Sequence, residues 1–353
     1  MGSSKPTIVV DAMGGDFAPA NEVAGSILGL QESQNAFSIV LVGKEEEIQK
    51  HLRGAEIAGL PISVVNAPEV ITMEDSPTAA LKQKKDSSLA VGMNLHKEGK
   101  ADAFVSAGNT GAVLSASTLI LGRVKGVSRP TIGAFFPTEK GVCLLVDAGT
   151  NVDCRPQHLY EFAVMGSIYA KKIFKYDNPL VGLLNVGEEE SKGNEVVRDA
   201  YKLLKASRLN FAGNVEGRDV LTGRIQVVVC DGFVGNAILK FAESVPSFLK
   251  ARLKSYAEKN ILRKGMLGLV RGTLKAVFKE MDYEEYGGVP VLGVNGVSII
   301  GHGTSTPKAI KNMILKAAEL ATADINKHIE QTLADSVTHR ALAGDTISMP
   351  AHP

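Results

Sequence analysis

The chain has 353 residues, 44% of them apolar, which is enough to bury a large core as one big α/β unit or as two domains. Its 39 basic and 38 acidic side chains leave a formal charge of +1, so no overall field recruits nucleic acid and any charge attraction must be local. Cys143, Cys154 and Cys230 are odd in number and lack CxxC or CxxH spacing, which excludes a disulfide framework or zinc site of the usual kinds and points to a reducing cytosol.

The opening MGSSKPTIVV lacks the apolar stretch of a signal peptide, and no uninterrupted apolar run reaches bilayer length. Short β-branched runs then recur at 7–11, 37–42, 62–65, 103–106, 131–136, 142–147, 180–186 and 225–230. Most are nearly continuous in apolar residues, as strands covered on both faces must be. Between them lie helix-like segments at 20–34, 76–98, 109–121, 156–174 and 193–206. Strand followed by helix, repeated, predicts a mostly parallel sheet in a layered α/β fold.

From 241 to 285 the text is helical in period and free of strand signals, and predicts two helices broken near Asn260 to Gly268. A final helix is expected over 306–335, and the small, polar residues of 336–353 are expected to form a disordered tail. No repeat or low-complexity linker divides residues 5–335, which are read as one catalytic domain carrying the 241–285 helical excursion.

In open α/β sheets, ligands bind beyond the carboxyl ends of the strands, where loop amides and helix N-termini converge. Unusual residues fall there: DAMGGDFAP (11–19), SAGNTGA (106–112), DAGTNVD (147–153), NVGEEESKGNE (185–195) and DGFVGN (231–236). Each combines glycine, which lets amides approach an anion, with Asn, Asp, Ser or Thr to position it. Turns alone collect such residues, but five such loops after strands predict a site for phosphate or an oxyanion. The chain lacks a G-x-G-x-x-G after a strand, a G-x-x-x-x-G-K-[ST] loop and a G-x-S-x-G elbow, so the usual dinucleotide, P-loop and serine-nucleophile chemistries lose support.

These loops, together with GRVKGVSRP (122–130), NVDCRPQHLYEFAVMG (151–166), NVEGRD (214–219), YGGVPVLGVNG and GHGTS (301–305), resemble the PlsX family of phosphate acyltransferases in order from about residue 7 to 335. The resemblance implies a three-layer αβα sandwich like those of phosphotransacetylases and isocitrate/isopropylmalate dehydrogenases, with a protruding helical hairpin. It implies transfer of an acyl group from acyl carrier protein to inorganic phosphate in bacterial phospholipid synthesis, without a cofactor. It also implies a homodimer, cytoplasmic and peripherally associated with the membrane. Ser191 departs from a common second lysine beside Lys192, and Cys154 occupies a variable position. Alternatives are a phosphotransacetylase acting on coenzyme A thioesters, a metal- and NAD-dependent dehydrogenase of related fold, and a membrane-bound scaffold without catalysis.

Phosphate is already an oxygen nucleophile and a thioester is already activated, so positioning and charge can carry the reaction. The expected catalytic group is Lys192 as fixed positive charge, Asn236 as a donor at a helix N-terminus, and Asp231 and His302 in proton-handling or orienting roles. Substrate contacts are expected at Gly14, Gly15, Ser106, Asn109, Thr110, Asn151, Asn185, Gly193, Asn194 and Gly235. Asp11 and Asp16 would repel bound phosphate, and are expected to fix the glycine turn instead. Leu262, Met266, Leu267, Leu269 and Val270, interleaved with Arg263, Lys264, Arg271 and Lys275, suit contact with an anionic membrane; by period alone a dimer interface or buried bundle is the alternative, and the resemblance implies both, a dimerising helix pair whose tip touches the membrane.

Overall fold

The strands are apolar at successive positions because each of their two faces meets a separate core. The computed structural model of the protein describes residues 5–280 and 286–342. Eleven strands are formed among them: β1 (Thr7–Asp11), β2 (Ser38–Gly43), β3 (Ile62–Asn66), β4 (Ala103–Ser106), β5 (Thr131–Thr138), β6 (Gly141–Val146), β7 (Val181–Leu184), β8 (Phe211–Val215), β9 (Val227–Val229), β10 (Val289–Leu292) and β11 (Val297–Ile300). Ile8 and Val10 of β1 and Leu144 and Val146 of β6 enter one core, while Val9, Cys143 and Leu145 enter the other. This is the period-two alternation of strands with both faces covered.

The helices form the outer layers. The first core takes α1 (Ala20–Glu32), α2 (Glu45–Arg53), α6 (Pro156–Ile173), α7 (Glu195–Lys205), α11 (Pro307–Ala321) and α12 (Ile325–Leu342). The second takes α3 (Pro77–Gln83), α4 (Ser88–Lys97), α5 (Thr110–Ala116) and the start of α8 (Gly232–Ala257). The result is the expected αβα sandwich.

One sheet contains all eleven strands in the order β3-β2-β1-β4-β11-β10-β5-β6-β9-β7-β8. Seven of its ten neighbouring pairs are parallel; β11–β10, β10–β5 and β5–β6 are antiparallel. These three reversals make β6, β9, β7 and β8 run opposite to β1 to β4 and β11. The five glycine-rich loops therefore do not share one strand polarity: two follow β1 and β4, and three follow β6, β7 and β9.

Several element expectations differ from the structure. β8, β10 and β11 have no counterpart in the expected strand set: β8 contains Gly213 and Asn214, β10 contains Pro290, and β11 is only four residues long. The segment expected as one helix over 76–98 divides at Ser87, whose hydroxyl accepts from Ala90 N–H (3.3 Å) and donates to the Lys84 carbonyl (2.7 Å). Capping by serine thus ends α3 and starts α4. The final helix divides at 322–324, where Asp324 takes φ 51°. α12 runs on to Leu342, so its end lies beyond the expected boundary at 335; residues 343–353 lie outside the described set.

The 241–285 excursion is likewise rearranged. α8 is continuous for 26 residues from Gly232, through Pro246, to Ala257. It is followed by α9 (Ile261–Leu269) and α10 (Arg271–Glu280), giving three helices where two were expected. Asn260 accounts for the break: its side chain caps α9 by accepting from Arg263 N–H (2.8 Å). Residues 281–285 lie outside the described set.

Candidate anion-binding active site

β1 delivers Asp11, 2% exposed, to the glycine turn. Its Oδ1 accepts from Met13 N–H (3.2 Å) and its Oδ2 from the Ser106 hydroxyl at the end of β4 (2.7 Å). That hydroxyl oxygen also accepts from Gly108 N–H (3.0 Å). Gly14 lies so close that a Cβ there would stand 2.8 Å from Ser106 Oγ and 2.9 Å from Asp11 Oδ2. Gly301 N–H donates to the Ser106 carbonyl and Asp16 N–H to the Gly303 carbonyl, each at 2.8 Å, which fastens the end of β11 to the turn. Burial raises the Asp11 carboxyl above the ordinary range, opposed by hydrogen bonds from Ser88 and Ser106.

Glu22 of α1 approaches Gly15 from the helix side and is 1% exposed. Among the described residues its Oε2 has no hydrogen-bond partner. Burial, reinforced by the charges of Asp11 and Asp16, pushes its pKa up to about 7. On the rim, Asn109 caps α5 by accepting from Ala112 N–H (3.0 Å), and its amide NH₂ reaches the Thr72, Met73 and Asp75 carbonyls at 3.2 Å each. Thr110 opens α5 and is exposed; His302 is exposed, its Nδ1 paired with Thr304 Oγ1 (2.9 Å).

The second constellation is built on Asp147, fully buried after β6. Its Oδ1 accepts from Gly149 N–H (3.2 Å), Thr150 N–H (3.1 Å) and the Thr150 hydroxyl (2.7 Å); its Oδ2 accepts from Asn151 N–H (2.6 Å) and the Asn151 amide (2.9 Å). Asn151 also donates to the Pro130 carbonyl (2.9 Å). The N-terminus of α8 packs onto this loop: a Cβ on Gly235 would overlap the Asp147 carbonyl oxygen, and a Cβ on Gly149 would stand 3.2 Å from that of Asn236. Asp231 caps α8, its Oδ1 accepting from Val234 N–H (2.8 Å). Cys154, beside Asp147 and Asp231, has its thiol pushed up to about 12, first by burial and then by those two carboxylates.

β7, the neighbour of β9, ends in the loop that holds Lys192. The Asn185 amide donates to the Lys192 carbonyl (3.1 Å), and the Asn214 amide of β8 donates to Glu189 O (2.9 Å). Gly193 takes φ 87°, and a Cβ there would stand 2.6 Å from Asn185 Oδ1, so the turn both needs glycine's backbone freedom and has no room for a side chain. Asn194 then caps α7 by accepting from Val197 N–H (2.9 Å). Lys205 takes Glu190 as its partner (2.8 Å), whereas Lys192 is exposed and has no carboxylate partner among the described residues.

The structure thus gathers Asp11, Gly14, Gly15, Asp16, Ser106, Asn109, Thr110 and His302 at the ends of β1, β4 and β11. It gathers Asn151, Asp231, Gly235, Asn236, Asn185, Lys192, Gly193 and Asn194 at the ends of β6, β9 and β7. Asp147, the hub of the second group, is absent from the expected site residues, although its loop repeats the acid-then-glycine pattern that follows β1. Glu22 has no local signal, since an acid in a helix's first turn ordinarily serves the dipole.

Buried carboxylates fastening glycine turns, with capped helix N-termini and an unpaired ammonium beside them, define an αβα enzyme scaffold suited to anions. The fold is that of phosphotransacetylases: EutD from Staphylococcus aureus superposes with a TM-score of 0.59 at 18% identity, covering 90% of this chain and 94% of that one. The phosphotransacetylase of Streptococcus pyogenes gives the same TM-score at 17% identity, with the same coverage.

The chain belongs to the fatty acid synthesis protein family, whose model matches residues 6–328. Among its relatives, the phosphate acyltransferase of Chlorobaculum parvum is 50% identical over 337 residues, spanning 93% of this chain and 99% of the relative. That of Caldanaerobacter subterraneus is 46% identical over 342 residues, spanning 97% and 99%.

Proposed function

We infer that this protein is an acyltransferase that moves an acyl group from acyl carrier protein to inorganic phosphate, releasing acyl phosphate and the free carrier thiol. The supporting observation is the full-length relation to phosphate acyltransferases, 50% identical over 337 residues. In this reading a phosphate oxygen attacks the thioester carbonyl, the tetrahedral oxyanion collapses, and the thiolate leaves with a proton.

Lys192 is assigned the phosphate charge. It has the attributes the task requires: a cation without a carboxylate partner, on a loop fixed by Asn185 and Gly193. Asn236 supplies a neutral donor just past the first turn of α8, with Asp231 orienting that turn through its cap. Asn151, Asn185, Asn194 and Gly235 hold the surrounding amides in place. The turn at Gly14, Gly15 and Ser106, with Asn109, Thr110 and His302, follows strands of the opposite polarity and is assigned to the chain of the acyl donor rather than to its reacting carbonyl. Exposed Phe17 and Met73 at its rim suit an apolar chain, while Asp11 and Asp16 position the turn.

We assign the homodimer and the membrane contact to separate surfaces. Phe241, Phe248 and Leu249 recur on one outward face of α8 and are 72%, 64% and 39% exposed, as a helix awaiting a second copy would be. Leu262, Met266, Leu269 and Val270 of the α9 region are 75%, 63%, 88% and 46% exposed, with Leu267 half-buried. Arg263, Lys264 and Arg271 lie among them, which suits an interfacial helix on anionic lipid. Among the described residues no helix is long and apolar enough to cross a membrane.

The test is phosphate-dependent release of thiol from acyl carrier protein thioester, run beside the same assay on acyl-CoA. Equal or better turnover of acyl-CoA would support the phosphotransacetylase alternative, and thiol release without phosphate would overturn both.

A further inference from the structure

We propose that Arg129 and Arg155, at the amino end of α6 beside His158, form a second cationic station that binds a phosphate group. Deepening the acyl-to-phosphate reading and resting on it, the station belongs to the constellation built on Asp147.

The backbone around Arg129 is clamped on both sides. Ser128 donates its N–H to Glu161 Oε2 and its hydroxyl to Glu161 Oε1, each at 2.8 Å, and the Pro130 carbonyl accepts from Asn151 (2.9 Å). Arg129 is nevertheless exposed and its guanidinium has no ion-pair partner among the described residues. Arg155 is the residue before α6, also exposed and without an ion-pair partner among the described residues, and its N–H donates to His158 Nδ1 (3.1 Å).

Three of the nearby acids are otherwise engaged, and the fourth, exposed Asp153, makes no ion pair with either arginine among the described residues. Glu161 is buried and held by Ser128 and the Gln157 amide, Asp147 accepts from the Gly149–Asn151 loop, and Asp231 caps α8. The first turn of α6 contains no acid. Two guanidiniums therefore add to the positive end of an 18-residue helix, an arrangement that repels itself until an anion enters.

His158 provides an independent observation. Its ring is only 7% exposed, and because Nδ1 accepts from Arg155, the neutral ring carries its proton on Nε2. That Nε2–H has no protein acceptor among the described residues and is not sealed from solvent. Burial, followed by Arg129 and Arg155, pushes the ring's pKa down to about 4, so at neutral pH it is available as an uncharged donor. Two planar guanidiniums and a free N–H match a phosphate group better than they match a carboxylate.

Such a group has two sources in this reaction, inorganic phosphate itself and the phosphodiester of the carrier protein's pantetheine arm. Calorimetric titration of the wild type, Arg129→Gln, Arg155→Gln and Arg129→Lys with inorganic phosphate and with phosphopantetheine tests the site without acyl transfer. The expected result is a weakening of about tenfold to a hundredfold for each glutamine variant, the loss of a charge-assisted contact, with partial recovery in Arg129→Lys. A matching rise in KM for phosphate identifies the acceptor as occupant, and a rise in KM for the acyl donor identifies the diester; both support the station. Wild-type affinity for both compounds in both glutamine variants overturns it. If no acyl phosphate forms in any variant or in the wild type, the reaction assignment fails while the titrations still decide the station.

Discussion

Replacing Glu22 with glutamine tests whether the glycine turn is braced by a protonated acid. The pKa of Glu22 rises from 4.5 to about 7 in the folded protein, a separation of 2.5 units, and each unit corresponds to about 1.36 kcal/mol. Between those two values the folded state binds more protons than the unfolded state, so stability falls as pH rises through that window. Above pH 7 the full cost, about 3 kcal/mol, is present; below pH 4.5 it is absent. Glutamine preserves the shape and removes the ionisation. Glu22→Gln should therefore match the wild type at pH 4 and exceed it by about 3 kcal/mol at pH 8. With an unfolding entropy near 2.1 cal/mol/K per residue, this corresponds to roughly 4 °C in Tm for a chain of this length. Melting followed by circular dichroism in a pH series measures the difference directly. Parallel curves for the two proteins from pH 4 to pH 8 would refute the reasoning, because they would mean Glu22 is charged or uncharged equally in both states.

Three further outcomes are expected. Lys192→Ala should lower phosphate-dependent turnover by about a hundredfold or more with unchanged melting, since its exposed side chain holds no ion pair among the described residues; near-normal turnover removes it from the mechanism. Leu269→Glu, at a position 88% exposed, should weaken co-sedimentation with anionic liposomes by placing a charge in the acyl boundary, with catalysis on soluble donor retained; unchanged binding excludes this tip from the contact. His96 donates from Nδ1 to the Ala101 carbonyl and accepts Val297 N–H at Nε2, each at 2.9 Å, and burial lowers its pKa. Its contribution to stability is complete above about pH 6.5 and is lost as pH falls from there through the lowered folded value; an imidazole signal titrating at or above 6.5 would contradict this.

Much of the layered fold was legible because double-faced burial writes itself into each strand as an uninterrupted apolar run. The misses have the same physical origin. β10 contains Pro290 and β11 begins beside Gly296, so their residues read locally as turns, and only pairing between distant segments makes them strands. That pairing matters to the site, because inserting β10 between β11 and β5, followed by the β5–β6 hairpin, reverses strand polarity and parts the glycine loops into two groups. Loop composition could identify each loop; it carried no information about polarity. Glu22 and His158 were similarly hidden, since their significance lies in burial against segments remote from their own helices' sequence pattern.

The continuity of α8 changes how the proposed site and membrane tip relate. A sequence break before residue 241 would have made the tip a separate appendage, but the helix that starts at Asp231's cap continues to Ala257. At 1.5 Å per residue its 26 residues span about 39 Å, so a tip resting on lipid would carry the phosphate loops on a stiff rod about that far away. The closely packed end is the one at Gly232 and Gly235, where the helix contacts the Asp147 loop without intervening side chains. A side chain at Gly235 would have to displace the Asp147 carbonyl or the helix itself. Either movement would shift Asn236 against its neighbours while leaving the α9 surface unchanged, which makes loss of turnover with retained liposome binding the signature of damage at this junction.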